Sequence, residues 1–87
     1  MPKIIIPSPL RKHADNQREV IVDGENLKGI MERLLQQYPG LEIINRDFAL
    51  LSIFVNSRLI RTAIEKWDTL TVNNKDEITL IIPIAGG

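Results

Sequence analysis

No cysteine occurs among the 87 residues, so disulfides, thiolate nucleophiles and thiolate metal sites are excluded. Histidine is almost as scarce: a zinc site built on the single His13 would need several carboxylates around it, and no metal site is expected. Net charge is missing as well. Eleven basic and eleven acidic side chains cancel, so no overall field draws the chain to nucleic acid or to an anionic membrane, and neither partner is expected. Apolar runs stop at about six residues, far short of a bilayer span, and the N-terminus lacks the basic segment and apolar stretch of a secretory signal. The expected location is the cytoplasm. Paired carboxylates, a Ser-His-Asp set and a phosphate loop are also absent, which leaves no catalytic residues to assign and points away from an enzyme.

What remains is an ordinary globular composition, 44% apolar and 25% charged, in a chain the size of one modest core. The β-branched run "KIII" (Lys3 to Ile6), stopped by Pro7 and Pro9, reads as a first strand, and "REVIV" (Arg18 to Val22) as a second paired antiparallel to it. The polar segment between them reads as an open connection. From Asn26 the period changes. Leu27, Ile30, Met31, Leu34, Leu35 and Tyr38 fall on one face of an α-helix, with Asn26 as N-cap and Pro39-Gly40 as the stop. Gly29 inside it costs about 1 kcal/mol against alanine, too little to offset that periodicity. "LLSIFV" (Leu50 to Val55) is a third strand, "NSR" turns into a short fourth at "LI", and Lys75-Asp76-Glu77 turns into a last strand from Ile78 to Ile82. The segment "TAIEKWDTLTVNNKDE" between them is irregular. The unbroken "ITLII" suits a central strand covered on one side. The order ββαβββ predicts an α+β domain in which one mixed sheet of about five strands packs on one main helix.

The sequence then closes on "IIPIAGG". At ordinary glycine usage of about 7%, a Gly-Gly ending arises by chance in roughly one chain in 200, so the pair joined to this strand order calls for a use. Together, "IFVN" (Ile53 to Asn56), "KDEITLIIPIAGG" (Lys75 to Gly87) and "IPSPLRKHADNQREVIVDG" (Ile6 to Gly24) resemble the ubiquitin-like β-grasp sulfur carriers of the ThiS/MoaD family. The resemblance runs along nearly the whole chain. Its N-terminal part is more similar to the carriers that serve cysteine synthesis than to the small subunits of molybdopterin synthase. Two positions depart from the family pattern: Ser57 stands where many members have glycine, and Ile82 where many have proline.

The resemblance implies a carrier that is a co-substrate of other enzymes. An E1-like partner adenylates the carboxylate of Gly87 with ATP, and a sulfur donor displaces AMP to leave a thiocarboxylate. The carrier itself binds no cofactor. Gly86 and Gly87 suit that task because a residue without Cβ lets surrounding backbone approach the reacting carbon closely. On this reading residues 1–83 form the domain and residues 84–87 a flexible tail, with Ile84 and Ala85 entering partner channels ahead of the glycines. The acceptor is expected to be a cysteine synthase that uses pyridoxal phosphate. The alternatives are the large subunit of molybdopterin synthase, or lysine amines if the protein is a ubiquitin-like modifier.

Strand parity adds a docking surface. If Ile53, Val55, Ile78, Leu80 and Ile82 face the helix, then Phe54, Ile81 and Ile5 face outward together and form a partner-binding patch near the origin of the tail. Of the remaining residues, His13 beside the basic "LRKH" reads as a solvated loop side chain, and Trp67, next to Asp68, as a core or rim packer.

Overall fold

A computed structural model describes residues 1–42 and 51–82. Its five strands are β1 (Lys3–Ile5), β2 (Glu19–Ile21), β3 (Ser52–Val55), β4 (Arg58–Leu59) and β5 (Glu77–Ile81), with one α-helix, α1 (Leu27–Gln37), between β2 and β3. They form a single mixed sheet in the order β2-β1-β5-β3-β4. The last strand in sequence is therefore the central one. It runs parallel to β1, pairing Ile4 with Ile78, and antiparallel to β3, pairing Ile53 with Leu80. Such a place suits "EITLI": β5 is flanked by ladders on both edges, and its inward Ile78 and Leu80 are fully buried.

The helix forms where its pattern predicts. Asn26 is extended, and its side-chain oxygen accepts a hydrogen bond from the Gly29 amide at 2.8 Å, satisfying one of the free donors of the first turn. Leu27, Ile30, Met31 and Leu34 are buried in one cluster with Ile4, Val20, Ile53, Ile78 and Leu80 of the sheet, and Leu35 and Tyr38 pack at its edge. A close approach precedes the helix: a Cβ added at Gly24 would lie 2.5 Å from Cγ1 of Ile30, so the turn entering α1 has no room for a larger residue.

The connections hold more order than their polar sequences announce. Ser8–His13 is a 3₁₀ helix with Pro9 in its first turn, where proline's missing N–H is not needed, and it buries Leu10. Pro39–Glu42 is another, burying Leu41, and Ile64–Thr69 a third, burying Trp67. His13 is half-buried rather than solvated, because its ring lies against Gly40, where an added Cβ would sit 3.0 Å from Nδ1. Strand limits move by a residue or two from the sequence reading: β1 stops at Ile5, β2 spans Glu19–Ile21, β3 starts at Ser52 and β5 spans Glu77–Ile81. Leu50, at the start of the expected third strand, lies outside the described residues.

Candidate functional site

Alternation along these strands divides the apolar residues of the sheet between two faces. One face is the core already described. On the other, register brings Glu19, Ile5, Thr79, Phe54 and Leu59 into one row across all five strands. Ile81 opposite Ser52 lies one pleat further along β5, and Ile21, Lys3 and Glu77 lie one pleat back. Phe54, Ile5 and Ile81 thus share the face that α1 does not cover. Phe54 and Ile5 are half-buried by their neighbours, while Ile81 and Leu59 are 44% and 43% exposed. The charged end of this face carries an exposed Lys3–Glu19 ion pair at 3.8 Å; the apolar end is where β5 leaves the sheet. Leu59 belongs to the apolar end by register, although parity read from sequence did not include it.

Ile84, Ala85, Gly86 and Gly87, the residues expected to enter partners and carry sulfur, lie outside the described residues. What the structure does place is β5, the strand that precedes them in the sequence. Glu77, at the start of β5, is tied to the turn between β3 and β4 through its amide, which donates to Oδ1 of Asn56 at 2.9 Å, and its carbonyl, which accepts from the Asn56 amide at 2.8 Å. Asn56 Nδ2 donates in turn to Oδ1 of Asp76 at 2.8 Å, and Asp76 Oδ2 accepts from the Asn73 amide at 2.7 Å. The bond from the Asn73 amide, and then that from Asn56, hold the Asp76 carboxyl below the usual carboxylate range. A side chain in the β3–β4 turn therefore secures the register of the central strand.

That turn is a two-residue hairpin with Asn56 at φ 51° and Ser57 at φ 70°. Both lie in the left-handed region that a twist-matched hairpin demands, where asparagine is tolerated and glycine preferred. Ser57 adopts that conformation despite its Cβ. The departure from the family pattern seen in the sequence thus falls on a strained backbone position.

Sequence reasoning missed a second feature, on the helical side. Ile64 and Trp67 separate two surface cavities. One, of about 340 Å³, opens toward Leu51, Ile53 and Ile60. The other, of about 250 Å³, opens toward Met31 and Leu35 of α1. Trp67 is buried, as expected of a packer, and donates its indole N–H to the Thr62 carbonyl at 3.0 Å. The spacing of Ile64 and Trp67 is the only trace of this feature in the sequence. No helix among the described residues is long and apolar enough to cross a membrane.

The sequence profile of the ThiS family matches residues 4–87. No curated protein matches the chain at a significant level. Among solved structures, CysO of Amycolatopsis orientalis, determined in a complex with BexX, superimposes with a TM-score of 0.84 at 20% identity, covering 100% of both chains. CysO of Mycobacterium tuberculosis, described as an antigen, gives 0.80 at 21% identity over 97% of this chain and 100% of the other. The small archaeal modifier protein SAMP1 of Methanosarcina acetivorans gives 0.76 at 27% identity over 99% of this chain and 95% of the other. The chain has the β-grasp fold common to ubiquitin-like sulfur carriers and modifiers, and it belongs to the ThiS family.

Proposed function

We propose that this member of the ThiS family carries sulfur as a thiocarboxylate on Gly87 and donates it in biosynthesis, with cysteine as the product. In the first step the Gly87 carboxylate attacks the α-phosphorus of ATP on an E1-like enzyme, forming a mixed anhydride with AMP and releasing pyrophosphate. Hydrosulfide then displaces AMP, forming the C–S bond as the C–O bond to the phosphate breaks, and leaves a thiocarboxylate. The anhydride is needed because a carboxylate repels nucleophiles and oxide is a poor leaving group. The carrier supplies the acyl group and the partner the catalysis, in keeping with small carriers of this kind not being enzymes themselves.

One observation carries the reading: the family match extends through Gly86 and Gly87, which follow the central strand of the sheet. A chain from Ile81 to Gly87 reaches at most about 20 Å when extended, so partners must dock close to the end of β5. The apolar end of the uncovered face, with Ile5, Phe54, Leu59 and Ile81, lies within that reach and is the proposed docking patch; Ile84 and Ala85 would line the entry of the tail. Cysteine is favoured as product by the N-terminal segment from Ile6 to Gly24 and by likeness to the two CysO structures. Likeness to SAMP1 supports a second reading, in which the activated carboxylate is joined to lysine amines. The cytoplasm, where ATP and such partners meet, is the proposed location.

The test has two stages. Incubation with a ThiS-type activating enzyme, ATP and a sulfur donor should replace one oxygen by sulfur in the C-terminal peptide only, and a variant lacking Gly87 should remain unmodified. The thiocarboxylate protein is then offered separately to a cysteine synthase that uses pyridoxal phosphate and to a molybdopterin synthase large subunit. Sulfur transfer to the serine-derived intermediate alone is the expected result. Dithiolene formation alone would reassign the protein to molybdenum cofactor synthesis, and lysine conjugates without either product would make it a modifier.

A further inference from the structure

The cavity between α1 and the 3₁₀ helix Ile64–Thr69 has a composition that folding does not explain. Its apolar lining is the buried Met31 and Trp67, the half-buried Leu35 and Ile64, which remains 45% exposed. Three exposed carboxylates, Glu32, Glu65 and Asp68, surround it against the one ammonium of Lys28. None of the three has an ion-pair partner among the described residues, where the pairs are Lys3–Glu19 and Arg33–Asp23. A chain whose charges balance overall thus gathers an unpaired negative fringe around an apolar slot. The slot's volume of about 250 Å³ suits one or two aliphatic side chains, not a cofactor. It belongs to the helical layer, whereas the proposed docking patch lies on the opposite face of the sheet.

We propose that this slot is a second protein-docking site, which takes a segment of a partner protein carrying one or two aliphatic anchors flanked by lysine or arginine. Apolar burial would supply the affinity, and the fringe would select basic flanks and reject acidic ones. Because the two surfaces are on opposite faces, a partner held here leaves the other face of the sheet free. The protein can then be tethered to one partner while another occupies that face. This inference does not depend on what the tail carries.

Trp67 is the single tryptophan and lines the slot, so its emission reports occupancy in the intact protein. The probe is a short capped peptide with two leucines one helical turn apart between lysines, and the control replaces each lysine by glutamate. The lysine peptide should saturate a change in Trp67 emission and move backbone amide resonances of α1 and Ile64–Thr69, while the glutamate peptide should not. Joint replacement Glu65→Lys and Asp68→Lys, both exposed, should weaken binding at least about tenfold without unfolding the chain, and Phe54→Asp should leave it unchanged. Equal binding of both peptides, indifference to the charge reversal, shifts confined to the uncovered sheet face, or no shifts up to millimolar peptide would each overturn the proposal. Arg58-Leu59-Ile60-Arg61 is itself a segment of the required kind, with Leu59 exposed. Concentration-dependent shifts of both β4 and the slot in protein alone would therefore overturn it in favour of a second copy as the occupant.

Discussion

The two faces of the sheet use the same strands, and both carry large apolar residues, yet they answer to different demands. Ile4 and Ile5 are neighbours, as are Ile53 and Phe54, or Leu80 and Ile81, and in each pair the first residue is in the core and the second is on the uncovered face. Burial against α1 accounts for the first set. The second set is buried less completely, with Ile5 and Phe54 half-buried and Ile81 more exposed still, so apolar side chains there are better explained by what the face meets in addition to folding. Folding and recognition are thereby separated by the pleat of the backbone, one residue apart.

The largest effect should come from breaking the covered face. Leu80→Ala leaves a cavity in the middle of the central strand and should cost about 2–5 kcal/mol, measured by denaturant unfolding. Phe54→Asp, on the other face, should cost less stability than Leu80→Ala because the ring is only half-buried, and should bind a cognate activating enzyme more weakly, by about 2 kcal/mol if the ring is a central anchor. A Phe54 variant as unstable as Leu80→Ala would show that the faces are not independent.

Smaller effects sharpen the comparison at the turn between β3 and β4. Ser57→Gly removes a Cβ from a left-handed position and should raise stability by up to about 1 kcal/mol, with enzyme binding unchanged. Asp76 gives the smallest expected effect, and its sign follows from its lowered folded-state value. Its contribution is complete above the ordinary carboxylate range, around pH 4, and is lost as pH falls through the folded value. Unfolding curves of wild type and Asp76→Asn should therefore converge on acidification; a gap that stays constant would place the stabilisation elsewhere.

How much of this was legible in the sequence depended on the range over which each signal acts. The helix was, because its period, cap and stop all lie within one short segment, and the central place of β5 followed from the apolar-rich run Ile78 to Ile82. The 3₁₀ helices were not: Ile64 and Trp67 offer a single repeat of spacing, too short to stand out from a loop, and the fold of Ser8–His13 depends on Leu10 finding the core. Asn56 reads from the sequence as part of the "NSR" turn, and its ties to Asp76 and Glu77 span 20 and 21 residues of chain. The acidic slot was least legible, since Glu32 and Glu65 become neighbours only once Trp67 docks on α1.

The central position of β5 also sets an order in time. β1 finds its parallel neighbour only across the whole intervening sequence, Ile4 with Ile78, and β3 has no link to β1 except through that same strand. As the chain is synthesised, the β1–β2 hairpin and the β3–β4 hairpin emerge as separate pieces, and loop closure over so long a separation makes their union the slow step. A ribosome that stops before β5 releases two hairpins and a helix with no shared sheet.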